Sequence, residues 1–226
     1  MSSRIVVVTG AFGVLGRAVA DRFEAGGDRV ARIDYAPAPA GAPSHHIGGV
    51  DISRLAAAED AVAAITAELG NPSVLVNVAG GFIWQTLADG GPDDWQRMYM
   101  MNTLTAVTMC KLLAPTLAKA DSAAIINIGA AAAAKADAGM GAYAASKAGV
   151  ARLTESLAAE LANQGVTVNA VLPTIIDTPT NRADMPDADF SQWVRPTDIA
   201  EVIYFLASPG ARCITGASIP AARGTG

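Results

Sequence analysis

The chain has 226 residues, 51% of them apolar and only 16% charged, a balance that excludes intrinsic disorder, a coiled coil and a solvating acidic tail. A net charge of −5 supplies no basic stripe for nucleic acid, and Gly, Asp, Arg or Asn breaks every apolar run before it reaches the roughly 18 to 20 residues of a membrane span. Cys110 and Cys213 stand far apart, in the spacing of neither a disulfide framework nor a zinc site.

Residues 4–8 form a β-branched run that ends in Thr9-Gly10, which predicts a first strand covered on both faces of a parallel sheet. Val14, Leu15, Ala18, Val19 and Phe23 recur at helical spacing and stop at Gly26-Gly27, predicting a helix over 14–25. Residues 29–34 predict a second strand ending in Asp34, and the Ala- and Pro-rich stretch 36–43 predicts a solvated loop. The alternation continues with strands near 47–50, 74–78, 124–129 and 166–172, and helices near 53–69, 93–119, 143–164 and 196–207. Strand and helix alternating in this way predict an α/β fold, a doubly wound parallel sheet, in a single domain over 1–226. The start of the sequence has no secretory apolar core or cleavage site, so the expected setting is the cytoplasm.

Gly10-x-x-Gly13-x-x-Gly16 falls where the first strand hands over to the first helix. Glycines there permit a tight turn and let backbone N–H groups at a helix N-terminus approach a pyrophosphate. The same pattern also fits glycines that only turn the chain. Asp34, 18 residues beyond Gly16, can accept hydrogen bonds from both adenosine ribose hydroxyls and repel a 2′-phosphate, so NAD(H) is expected in preference to NADP(H). Tyr143 and Lys147, four apart at the start of a predicted helix, share one face of it. A lysine ammonium near a phenol favours phenolate and brings its proton within range of neutral pH. An exposed helix pair has the same spacing.

With these motifs in order, the sequence resembles the short-chain dehydrogenase/reductase superfamily over nearly its whole length. The resemblance adds Asp51-Ile52, Asn77-x-Ala79-Gly80, Asn102, Pro173 and Thr178, and it implies a Rossmann fold, a small-molecule substrate and a homodimer or homotetramer packed through the helices near 93–119 and 143–164. It implies cofactor contacts from Gly10, Phe12, Gly13, Val14, Leu15, Gly16, Asp34, Asp51, Ile52, Asn77, Ala79, Gly80 and Pro173, with Ile176 and Thr178 at the carboxamide. Tyr143 would transfer the proton, Lys147 would also bind the nicotinamide ribose, and Asn102 would hold a relay water near Lys147. No metal is implied.

Two departures stand out. Val14 occupies the place of the middle glycine, and Ala130 stands where the family has its serine, thirteen residues before the tyrosine. Losing one donor to a developing oxyanion typically costs about 3 to 4 kcal/mol, so ordinary alcohol chemistry is not the expectation. Dihydropteridine reductases tolerate that loss, and the chain is similar to them in 78–82, in Gly139-Met140, and in the stretch running from Leu172-Pro173 through Asp177-Thr178-Pro179 and Met185-Pro186 to Trp193. The expected reaction is therefore NAD(H)-linked hydride transfer to or from a C=N or C=O carbon, with a quinonoid dihydropterin or other flat conjugated substrate. Phe82, Trp84, Ala130 and Trp193 are its candidate neighbours. A carbonyl reductase or alcohol dehydrogenase that manages without the serine, and a silent dinucleotide-binding sensor, are the alternatives.

Overall fold

The computed structural model describes residues 3–223. Seven strands, β1 (Ile5–Thr9), β2 (Arg29–Ile33), β3 (His46–Ile47), β4 (Val74–Asn77), β5 (Ala123–Ile128), β6 (Val166–Pro173) and β7 (Ser218–Ala221), form one sheet in the order β3-β2-β1-β4-β5-β6-β7. Every pairing is parallel. The chain walks outward from β1 to β3 and returns beside β1 as β4, so the strand order reverses there and a crevice opens at the carboxyl ends of the strands.

The described residues form seven α-helices, α1 (Val14–Ala25), α2 (Leu55–Leu69), α3 (Pro92–Met98), α4 (Thr105–Leu117), α5 (Gly141–Glu160), α6 (Pro179–Asp184) and α7 (Pro196–Leu206), of which α1, α2, α4, α5 and α7 pack on the sheet. Side chains alternate across a strand, and β1 divides accordingly. Val6 and Val8 pack with Leu15, Val19 and Phe23 of α1 and with Ile199 and Ile203 of α7. Val7 faces the opposite core, with Ile65 of α2, Met109 and Leu113 of α4 and Leu157 of α5. Full burial of such aliphatic side chains contributes about 1.5 to 3 kcal/mol each, which holds the turn after β1 on a rigid base.

The predicted helix over 93–119 is interrupted: α3 runs into a π-helical turn, Tyr99–Leu104, before α4 begins. That turn carries Asn102, which is buried and bonded outside its own helix, and an inserted residue of this kind re-aims a side chain at the cost of regular helix bonds. The predicted strand at 47–50 shortens to His46–Ile47, stopping at Gly48-Gly49. Two elements lie outside the expectation. β7 is an edge strand containing Pro220, with residues half-exposed or exposed, a place where a sheet tolerates proline. The short α6 is capped by Thr178, with Pro179 in its first turn.

Candidate active site

Gly10 turns the chain with φ +62, and a Cβ there would sit 2.8 Å from Ala79 N and Cα. The turn therefore presses on the segment after β4. At Gly16 a Cβ would fall 2.1 Å from the Gly10 carbonyl oxygen, so only glycine lets α1 start this close to β1. Gly13 is the N-cap of α1, without a side-chain cap, and the first-turn amides of Val14, Leu15 and Gly16 form the open, positive end of a helix dipole. Val14, in the place of the family's middle glycine, is 45% exposed and does not fill this end.

Asp34 closes the loop from the other side. Its Oδ2 accepts the Phe12 N–H at 2.7 Å and its Oδ1 the Ala36 N–H at 2.9 Å, leaving lone pairs for ribose hydroxyls. Arg17 reaches back to the Phe12 carbonyl at 3.1 Å, so a cation stands beside the loop. Asp51 binds Ser53 through N–H and Oγ at 3.1 and 2.6 Å, while Ile52 is buried. The open α1 terminus, the glycine cradle and the carboxylate at the end of β2 together fit an adenine dinucleotide.

At the reacting end, Thr9 Oγ1 accepts the N–H groups of Val78 and Ala79, both at 3.1 Å, tying the end of β4 to β1. A Cβ on Gly80 would lie 2.5 Å from Asn102 Oδ1 and 3.2 Å from Lys147 Nζ, so these three residues meet at one point. Lys147 is buried, and its Nζ donates to the Ile128 carbonyl at 2.8 Å. Burial pulls its ammonium down to about 8 and pushes the Tyr143 phenol up to about 12. The Lys147 ammonium is engaged with the Ile128 carbonyl, and burial is the dominant influence on the Tyr143 phenol.

Ala130 is buried at the end of β5 and offers a methyl group where the family has a hydroxyl. Ser191 does not replace it, because its Oγ is bound to Asp189 at 2.6 Å. One expectation needs correction. Trp193 is only 4% exposed and packs on Phe190, ring centroids 4.7 Å apart, so it belongs to the fold and not to a stacking surface. Asn77 turns its amide nitrogen inward, donating to Asn127 Oδ1 at 2.9 Å and to Cys110 Sγ at 3.4 Å, while its buried Oδ1 has no hydrogen-bond partner among the described residues. Phe82 and Trp84 are 53% and 61% exposed. Phe82 stands against the Tyr143 ring, and Trp84 lies over Gly139, whose carbonyl accepts the Gln85 N–H at 2.8 Å. Past Pro173, Ile176 pairs with Val194 and Thr178 Oγ1 accepts the Asn181 N–H at 3.1 Å. Thr9 and Ser146 were not anticipated; a hydroxyl ending a β-branched strand, and one inside the tyrosine–lysine motif, were the available signals.

The short chain dehydrogenase family matches residues 4–189. An uncharacterized short-chain type dehydrogenase/reductase of Sinorhizobium fredii is 36% identical over 244 aligned positions, covering 96% of this chain but only 42% of that longer protein. The 3-oxoacyl-(acyl-carrier-protein) reductase of Vibrio harveyi is 32% identical over 233 positions, 97% of this chain and 96% of its own. Among solved structures, the 3-ketoacyl-(acyl-carrier-protein) reductase of Brucella melitensis complexed with NADH has a TM-score of 0.85 at 27% identity, with 96% of each chain covered. The closer similarity to dihydropteridine reductases has no counterpart among these relatives. No helix among the described residues is long and apolar enough to cross a membrane. With its parallel sheet, glycine turn and Tyr143/Lys147 pair, the chain belongs to the short-chain dehydrogenase/reductase family, oxidoreductases that bind nicotinamide dinucleotides.

Proposed function

We propose that this protein is an NAD(H)-dependent oxidoreductase in which Tyr143 exchanges the proton that accompanies hydride transfer at a C=O or C=N carbon. The observation that supports the reading is the meeting of Lys147, Asn102 and Gly80 at the carboxyl edge of the sheet, with Tyr143 linked to Asn102 through Ser146 and its ring against Phe82, beside an uncapped α1 terminus. The amides of 13–16 would hold the pyrophosphate and Asp34 the adenosine ribose, while Asp51-Ile52 would contact the adenine. Ala79 and Gly80 would let the cofactor lie close to the backbone, Lys147 would hold the nicotinamide ribose, and Ile176 and Thr178 would hold the carboxamide. When bound, the nicotinamide supplies or accepts the hydride. In the reducing direction the substrate heteroatom takes its proton from Tyr143 Oη, and Lys147 returns one from the Asn102 side.

Ala130 bears on the substrate. With one donor instead of two, a full oxyanion is poorly stabilised, whereas a quinonoid ring spreads the charge and an imine starts with a basic nitrogen. A quinonoid dihydropterin or another flat conjugated acceptor therefore suits the site. The second reading is a carbonyl reductase, favoured by the activity named for the Vibrio and Brucella relatives. A homodimer or homotetramer in the cytoplasm, packed through α4 and α5, belongs to the same proposal. The test is an NADH-oxidation panel of quinonoid dihydropterin, quinones, imines and ketones, run with wild type and Tyr143→Phe. Tyr143→Phe should lose about a hundredfold to ten-thousandfold in kcat, the usual worth of general acid catalysis, with NADH affinity retained. Near-normal kcat in that variant would remove Tyr143 from the mechanism, and no turnover of any acceptor would leave the silent sensor.

A further inference from the structure

Asn102 grips two walls of the site at once. Its Oδ1 accepts the Gly81 N–H at 2.9 Å, and its Nδ2 donates to the Gly81 carbonyl and to Ser146 Oγ, both at 3.0 Å. Ser146 Oγ donates to the Tyr143 carbonyl at 2.7 Å. One residue beyond Gly81, the Phe82 ring stands nearly perpendicular to the Tyr143 ring, at 87° and 4.9 Å between centroids. These contacts close on themselves. They run from Gly81 to Asn102, on to Ser146, to the Tyr143 backbone, across the two rings to Phe82, and through one peptide bond back to Gly81.

The circuit is tight where it crosses the π-helical turn. A Cβ on Gly81 would sit 2.2 Å from Met101 Sδ, so the loop lies flush on that turn and has little room to slide. Both Nδ2 protons of Asn102 are committed, and a buried amide satisfied in this way resists rotation. Phe82, in contrast, leaves 53% of its surface open. Core burial does not account for a large apolar ring set half in water against a reacting phenol, whereas fixing the tilt of that phenol does; edge-to-face aromatic pairs prefer this arrangement.

We propose that Phe82 and Ser146 are positioning residues for Tyr143, holding its ring and its backbone from opposite sides so that the phenol meets the substrate heteroatom in one orientation. The proposal rests on the reading of Tyr143 as the proton donor. Neither residue needs to touch the reacting atoms. Because the two grips belong to one closed path, breaking either opens it, and the effects of breaking both should not multiply.

A double-mutant cycle tests this, using Ser146→Ala, Phe82→Ala and the pair with NADH and the best acceptor from the panel above. Each single change should lower kcat about tenfold, since misplacing a reacting group can cost up to about a hundredfold, while NADH affinity stays within about twofold. The pair should fall no more than about threefold below the worse single variant. Opening the circuit also lets water reach Tyr143, so the alkaline limb of the kcat profile should move to lower pH. Ser146→Thr and Phe82→Tyr should restore most of the rate. Singles at wild-type kcat, losses that multiply in the pair, or conservative variants no better than alanine would each overturn the proposal. Should Ser146→Ala fail to fold, Phe82→Ala and Phe82→Tyr decide alone, by the same criteria. A wild type that turns over none of the acceptors in the panel overturns the functional reading itself; wild-type turnover with indifferent variants overturns only the circuit.

Discussion

Lys147 brings an ammonium into the interior with the Ile128 carbonyl as its protein partner, and burial draws it down to about 8. Its folded value lies below its unfolded one, so between about pH 8 and 10.5 the unfolded chain binds more protons and stability rises with pH. Tyr143 works the other way. Its folded value of about 12 exceeds the unfolded 10, so the stability it contributes is present below about pH 10 and lost as pH climbs toward 12. Urea unfolding should therefore show stability increasing from about pH 8 to 10, by up to roughly 1.4 kcal/mol per unit, and then falling. Lys147→Met should flatten the rise; an unchanged rise would mean that the lysine is better solvated than its burial implies. Ala130 is the other residue whose chemistry makes a prediction. Ala130→Ser should improve ketone reduction by about tenfold or more, and the conjugated acceptor far less, because only the former builds charge on one oxygen. If plain ketones are already turned over well and the serine adds nothing, the carbonyl reductase reading gains and another hydroxyl, such as that of Thr174, supplies the missing donor.

The turn between β1 and α1 makes its prediction as a unit. A Cβ at Gly16 would meet the Gly10 carbonyl at 2.1 Å, whereas at Gly13 the nearest atom is that same oxygen at 3.4 Å, an ordinary contact. Gly16→Ala should thus cost about 1 to 3 kcal/mol of stability and most NADH binding, while Gly13→Ala should cost little of either. Denaturant midpoints and NADH fluorescence titrations of the two variants read this directly, and equal behaviour would disprove the steric account. The contrast also explains how Val14 is accommodated, since it is the contact at Gly10 and Gly16, and not the middle position, that brings helix and strand together. Elements with a strong local signal were legible in the sequence: α1 through its apolar stripe, β1 through its valines, β6 through its valine-rich, β-branched segment. The π-helical turn was not, because it is made by tertiary bonds from Asn102 to Gly81 and Ser146 and leaves the apolar pattern of a helix undisturbed. β7 escaped for a similar reason: Ser218 and Pro220 look unlike a strand, and only the edge of β6 makes one of them. Trp193 misled in the opposite sense, because a tryptophan in a loop reads as a surface ring until Phe190 is seen packed against it.

Across the whole molecule, the proposed cofactor contacts come from β1, α1, β2, β4, α5 and the segment after β6, residues far apart in sequence that the strand-order reversal gathers at one edge of the sheet. The alternation of strands and helices foretold that gathering; the side-chain bonds that complete it, such as Asp34 to Phe12, depend on how two loops meet and are not written in either. A ligand that engages so many elements binds only the folded chain and should stabilise all of it. At about a hundredfold excess over Kd the gain is roughly 2.7 kcal/mol, equivalent to about 5 to 10 °C in Tm for a chain of this size. NADPH should give a clearly smaller shift at the same concentration, since its 2′-phosphate would lie beside the Asp34 carboxylate, a like-charge encounter costing about 1 to 3 kcal/mol. Asp34→Ala removes that repulsion and leaves Arg17 beside the Phe12 carbonyl, so the two shifts should converge in the variant. Its own Tm without ligand should drop, because the Phe12 and Ala36 N–H groups lose their acceptor, which is why the ligand-induced difference, and not the absolute Tm, is the quantity to compare. NADPH shifting the wild type as far as NADH would show that Arg17 outweighs Asp34 and reverse the assignment of cofactor.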